Sequence, residues 1–174
     1  DQKGLDLVNR VIEQILDENT QLVVIGTGEP RYENLFKHFQ WKYPDRVSAN
    51  IFFSEQRAHK LYAAADAMLV PSRFEPCGLT QLIALRYGTI PIVRETGGLK
   101  DTVSPYNEYE NSGNGFSFGN YDSYDMLNVI NYAKTIYFTQ NEKWQEIIIR
   151  AMKSDFSWNY SADQYAGMYI WLSN

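Results

Sequence analysis

Three places along the chain combine residue types that could act on a ligand. In the run Pro71-Ser72-Arg73-Phe74-Glu75-Pro76-Cys77-Gly78-Leu79-Thr80-Gln81 a carboxylate, Glu75, stands just before a helix start at Cys77-Gly78. A helix dipole alone would favour an acidic residue there. Equally, the free amides of Cys77, Gly78 and Leu79 could face a ligand whose hydroxyls Glu75 binds. The second place is Arg94-Glu95-Thr96-Gly97-Gly98-Leu99, with two adjacent glycines at a strand-to-helix turn. Successive exposed amides suit phosphate oxygens, although a tight turn without a ligand has the same sequence. The third is Gly26-Thr27-Gly28. Its glycines permit a sharp turn and a close approach, but the spacing of a dinucleotide fingerprint fails because the next position is Arg31.

These residues are placed by alternating elements. Leu5, Val8, Val11, Ile12, Ile15 and Leu16 recur at helical spacing over 5–17. Leu22 to Ile25 reads as a strand buried on both faces. A helix is expected over 31–41, a strand from Val47 to Phe53, and a helix from Glu55 to Ala65. Then come a strand from Ala67 to Val70, a helix from Leu79 to Tyr87, a strand from Ile90 to Val93 and another from Gly115 to Phe118. From Tyr124 onward the pattern is helical in at least three pieces. Ser104 to Asn114, rich in Asn, Glu, Tyr and Gly, reads as an exposed loop. Such alternation predicts an α/β fold with right-handed crossovers and a Rossmann-like, doubly wound parallel sheet. Ligands of such sheets sit at the carboxyl ends of the strands, where the three candidate runs all fall.

Composition narrows the classes. At 174 residues, 44% apolar and 15% aromatic, the chain can bury one core, so residues 1–174 are expected to form a single ordered domain. The net charge is −5 and no basic stripe is present, which argues against nucleic acid as a partner. One cysteine, Cys77, excludes an internal disulfide and a multi-cysteine metal site, and fits a reducing compartment. No apolar run approaches the ~20 residues that span a bilayer, so no membrane partner is expected. The chain opens on Asp1-Gln2-Lys3-Gly4, with no Met and no apolar leader pattern; the expectation is a piece of a longer polypeptide.

Five motifs occur in one order and span the chain nearly end to end: KGLDL at Lys3 to Leu7, SRFEPCGLTQ at Ser72 to Gln81, Tyr87-Gly88-Thr89 with Pro91 and Val93, TGGLKDTV at Thr96 to Val103, and DFSW at Asp155 to Trp158. Together they resemble the C-terminal half of bacterial glycogen synthases and plant starch synthases, glycosyltransferase family 5. The resemblance implies the GT-B architecture of two Rossmann-like domains around a cleft. It implies transfer of glucose from ADP-glucose (or UDP-glucose) to an α-1,4-glucan acceptor, with retention, no metal and no cofactor. This chain would be the donor-binding domain, with an N-terminal domain of the same protein as its partner, in the cytoplasm. By itself it is expected to bind ADP weakly and to transfer nothing.

Residue by residue, the resemblance implies the following roles. Lys3 sits against the donor phosphates and neutralises charge on the departing diphosphate. Glu75 faces the glucose ring, binding a hydroxyl and stabilising positive charge at the anomeric carbon. No second carboxylate is evident to make it a hydrolase-type nucleophile. Cys77, Gly78, Leu79 and Thr80 form the turn whose amides meet glucose and the nucleotide. Cys77 is expected to be a small packed residue, since neither His38 nor His59 lies in a motif that would activate it. Thr96, Gly97, Gly98 and Leu99 form the loop on the diphosphate. Phe53 falls where the family often has a Tyr stacked on adenine, and it lacks that hydroxyl. Gly26 and Gly28 complete the set at the first strand exit.

Two departures bear on this reading. Many related retaining transferases carry a second Glu eight positions after the first, where this chain has Ile83; the starch-synthase group also lacks it. The Arg that the family has just upstream of KGLDL is not in this chain. The alternatives are a non-catalytic nucleotide- or glucan-binding module and, below it, a sugar-nucleotide epimerase. The last helical stretch, Ser161 to Leu172, is expected either to pack on this domain or to lie exposed as an apolar patch.

Overall fold

Short apolar runs closed by polar residues, glycine or proline form the strands of the computed structural model, which describes residues 2–17 and 19–173. They are β1 (Leu22–Ile25), β2 (Val47–Asn50), β3 (Ala67–Val70), β4 (Ile90–Arg94) and β5 (Phe116–Phe118). The helices are α1 (Leu5–Ile15), α2 (Pro30–Lys42), α3 (Glu55–Ala64), α4 (Thr80–Tyr87), α5 (Gly97–Thr102), α6 (Ser123–Thr139), α7 (Asn141–Lys153) and α8 (Trp158–Leu172). Strand and helix alternate up to α6, and the paired strands all run parallel, as the pattern requires.

The strands form two sheets. β1 pairs with β2, in register from Leu22 opposite Val47, and the second sheet has the order β3-β4-β5. β1 is therefore an edge strand, and Val23, expected to be buried, is 45% exposed. β4 is central and buried over Ile90 to Val93. It tolerates Pro91 because the Ile90 amide bonds toward β3, at the Asp66 carbonyl. Alternation then turns the Pro91 nitrogen toward β5, one residue before that ladder begins at Ile92 opposite Phe116.

The main core forms where α1 packs on α6. Leu7, Val8, Val11, Ile12 and Ile15 of α1 are buried, as are Met126, Leu127, Ile130, Ala133 and Ile136 of α6. Burial of each large apolar side chain contributes roughly 1.5–3 kcal/mol, so this pair sets where the start of α1 lies. Asp122 caps α6, accepting from the amides of Tyr124 and Asp125. A second, smaller cluster of Val70, Val93, Leu99 and Val103 seats α5 against the ends of β3 and β4.

Two expectations are corrected, and one choice left open is decided. β2 ends at Asn50, not Phe53, because the Phe52 amide turns back onto the Asn50 carbonyl and the Phe52 ring lies under Arg57. The 104–114 loop is anchored, not simply exposed. Tyr106 is buried, and bridges join Pro105 to Gly115 and Asn107 to Ser112. α8 has no buried residue, so its aromatic side chains lie in the open.

Candidate functional site

β3 and β4 are parallel neighbours, so their carboxyl ends bring the 71–78 and 94–98 segments side by side. Arg94, at the end of β4, reaches across and donates to the carbonyls of Arg73 (2.5 Å) and Ser72 (3.4 Å). The guanidinium carbons of Arg73 and Arg94 lie 5.4 and 5.5 Å from the Tyr121 ring centroid. The Tyr121 hydroxyl donates to Asp6 (2.5 Å), which ties the first turn of α1 to this corner. Burial, then the Asp6 carboxylate, push the Tyr121 phenol up to about 12.

At this junction Lys3 and Glu75 meet. Lys3 Nζ lies 2.6 Å from Glu75 Oε2, and the buried Ser72 hydroxyl donates to the same oxygen (3.2 Å). The lysine side chain is 61% exposed and the glutamate only 12%. Glu75 is thus held with Oε1 unengaged among the described residues. The approach of the chain start depends on Gly4. Its φ is 72°, in the left-handed region, and a Cβ there would lie 2.0 Å from the Pro71 carbonyl oxygen. The Arg73 amide donates to the Gln2 carbonyl (2.8 Å), which fastens the same stretch.

Beyond Glu75, the chain turns through Gly78 (φ 73°) into α4. The amides of Cys77, Gly78 and Leu79 have no partner among the described residues, so they are open to an acceptor such as a phosphate or sugar oxygen. This turn is held by Gln81, which is fully buried. Its amide nitrogen donates to the carbonyls of Cys77 (3.2 Å) and Gly78 (2.9 Å) and to the Thr102 hydroxyl (3.2 Å). Thr102 in turn donates to the Gly98 carbonyl (2.5 Å), so one amide side chain locks the 77–78 turn to α5.

The two glycines do different work. Gly97 has φ 44°, and a Cβ there would lie 2.2 Å from the Glu75 carbonyl oxygen; a Cβ on Gly98 would lie 1.9 Å from that of Cys77. Only glycine permits this approach. The Gly98 amide donates to the carbonyls of Glu75 (3.1 Å) and Pro76 (3.3 Å), so it is not the open amide that its sequence suggests. The Gly97 amide has no partner among the described residues. Leu99 is fully buried between β3, β4 and α5, and its amide bonds the Thr96 carbonyl; its side chain is core. Cys77, expected to pack, is exposed, and among the described residues its sulfur has one hydrogen-bond partner, the Gly78 carbonyl (3.9 Å).

The structure therefore brings together Lys3, Glu75, Cys77, Gly78, Leu79, Thr80, Thr96, Gly97 and Gly98. It does not join Gly26, Gly28 or Phe53 to them by any hydrogen bond or ring contact among the described residues. The Gly26 amide continues the ladder to Asn50, and the Gly28 amide donates to Glu33 (3.0 Å). Phe53 is 85% exposed. Sequence reasoning missed Gly4, Ser72, Gln81, Arg94 and Tyr121 as site builders. Gly4, Ser72 and Gln81 lie inside the quoted motifs, which is the signal that could have found them.

The family model for Glycosyl transferases group 1 matches residues 1–153. The chain belongs to this family. It is 63% identical over 169 residues to a glycogen synthase of Lachnospira eligens, covering 97% of this chain and 35% of that protein. A glycogen synthase of Clostridium acetobutylicum is 54% identical over the same shares. The chain thus spans about a third of the length of these curated relatives. Among solved structures, the catalytic domain of starch synthase IV from Arabidopsis thaliana, bound to ADP and acarbose, superposes with a TM-score of 0.82 at 35% identity, over 97% of this chain and 36% of that one. HepE from Anabaena, at 21% identity and a TM-score of 0.67, shares the fold. The chain has the Rossmann-like α/β fold of those proteins.

Proposed function

We propose that residues 1–174 are the donor-binding domain of a retaining glucosyltransferase that extends α-1,4-glucan from ADP-glucose. What carries the reading is the junction of Lys3 and Glu75 beside the open amides of Cys77, Gly78 and Leu79. A cation, a carboxylate and unpartnered backbone donors then stand within one stretch of the strand exits. The likeness to glycogen synthases and to an ADP-bound starch synthase domain supports it.

In this account the donor diphosphate lies against the amides of 77–79 and of Gly97, which approach closely because no Cβ intervenes. Lys3, paired with Glu75 in the free chain, turns its charge to the diphosphate as the bond from the anomeric carbon to phosphate oxygen breaks. The leaving ADP takes the electron pair. Glu75 binds a glucose hydroxyl through Oε1, and its charge favours the cationic anomeric carbon, to which the acceptor glucan oxygen bonds as its proton passes to the leaving phosphate. Gly26, Gly28 and Phe53 line the nucleoside end. The rest of the cleft comes from a second, N-terminal domain whose closure excludes water. The expected compartment is the cytoplasm.

The test is Glu75→Gln in the full-length protein. Glucose transfer from labelled ADP-glucose should be lost while ADP still binds. Transfer at the wild-type rate would overturn the role given to Glu75.

A further inference from the structure

Two side chains hold Glu75, and donor binding acts on them differently. Lys3 is 61% exposed and reaches Oε2 from the chain start. In the function proposed above, on which the following rests, it leaves the carboxylate for the diphosphate. Oε2 then keeps one partner among the described residues, the Ser72 hydroxyl at 3.2 Å. Ser72 is fully buried, so a ligand at the strand exits does not displace it. The Glu75 side chain is only 12% exposed, and a shielded carboxylate that has lost its cation depends more on the donor that remains.

β3 ends at Val70, so Ser72 lies beyond the ladder that fixes the strand. Arg94 takes over there. It stands at the end of the central strand β4, and its Nη1 donates to the carbonyls of both Ser72 (3.4 Å) and Arg73 (2.5 Å). Its guanidinium rests against the Tyr121 ring, 5.5 Å from the centroid. Its Nε is buried and has no hydrogen-bond partner among the described residues. A buried donor left unpaired is unfavourable, so stability alone does not account for an arginine here. What the arrangement secures is the position of the 72–73 peptide.

A continuous line therefore runs from β4 through the Arg94 guanidinium, the Ser72 peptide and the Ser72 hydroxyl to Glu75 Oε2, and it leaves Oε1 free. We infer that Ser72 and Arg94 are positioning residues for glucose transfer: Arg94 fixes the Ser72 peptide, and the Ser72 hydroxyl keeps Glu75 Oε1 aimed at the sugar after Lys3 has turned to the diphosphate. Both act through Glu75, so their effect falls on turnover and not on donor affinity, which the amides of 77–79 and Gly97 and the Lys3 charge supply.

The test is steady-state glucose transfer from labelled ADP-glucose by the full-length protein, in wild type, Ser72→Ala, Arg94→Met, Arg94→Lys, the Ser72→Ala/Arg94→Met double variant and Glu75→Gln. Ser72→Ala should lower kcat about 10- to 100-fold, as for a small misplacement at a reaction centre, with KM for ADP-glucose unchanged within about twofold. Arg94→Met should do the same. The double variant should be no slower than the slower single variant, because both changes break one line. Arg94→Lys should recover most of the rate, since one nitrogen makes both bonds and an ammonium can imitate it. Ser72→Ala removes a single oxygen, so it carries the test even where Arg94→Met does not fold. Wild-type kcat in Ser72→Ala, or a raised KM with kcat intact, overturns the inference; if Glu75→Gln is inactive beside it, the donor reading stands. Losses that add in the double variant overturn the line from Arg94 to Glu75. Transfer by Glu75→Gln at the wild-type rate overturns the role of Glu75 in the donor reading and this inference with it.

Discussion

Backbone meets backbone where Gly4 passes Pro71: a Cβ on residue 4 would lie 2.0 Å from the Pro71 carbonyl oxygen. The left-handed φ of 72° adds a cost of about 1–2 kcal/mol for an L side chain. Gly4→Ala should lower stability by at least that amount, and should part Lys3 from Glu75. Urea unfolding measures the first effect, and a loss of ADP affinity greater than that of a surface control measures the second.

Gln81 is predicted to govern the donor turn without touching the donor. Gln81→Leu removes the donor shared by the Cys77 and Gly78 carbonyls and Thr102. Leaving such groups unpaired costs about 1–3 kcal/mol. Unfolding should register that loss, and ADP affinity should fall although no ligand contact has been deleted.

Alkaline pH should find Tyr121. Its phenol is pushed up to about 12 in the folded chain against an ordinary value of 10.0. A group with a raised folded value favours the fold while it is protonated. Its contribution is therefore whole below about pH 10 and is lost as pH climbs toward 12. Across that window wild type should lose more stability than Tyr121→Phe, measured as the difference between their unfolding midpoints.

α8 should be dispensable for folding. It buries no residue, and Trp158 and Trp171 are 90% and 76% exposed. Ending the chain after Ser157 should leave the unfolding free energy within about 0.5 kcal/mol, as for surface changes. It should also reduce binding of an apolar dye, because an exposed aromatic patch is removed.

The strand exits were legible because four-residue apolar runs stop at Gly26, Pro71 and the 95–98 turn, and local patterning carries that signal. The meeting of Lys3 with Glu75 was legible only through the motifs that both occupy. Spacing cannot show that residues 72 positions apart form an ion pair. Less was readable where tertiary contacts decide. Gly98 looks like an open amide, but its partner, the Glu75 carbonyl, comes from another strand exit. Leu99 lies in a ligand-binding motif, yet its side chain completes the small core beneath α5. Phe52 and Phe53 extend the apolar run of β2, but the turn at Asn50 ends it early. Tyr106 is a buried anchor within a stretch whose composition reads as loop.

The central claim is that the Lys3–Glu75 junction with the open 77–79 amides is a nucleotide-diphosphate site. Isothermal titration of the chain with ADP, in wild type and in Lys3→Ala, tests it most directly. Lys3 is largely exposed, so its removal leaves the fold intact. A charged hydrogen bond contributes about 1.5–3 kcal/mol. ADP should therefore bind wild type and bind Lys3→Ala about tenfold more weakly or worse. Equal ADP affinity in the two proteins would contradict the account.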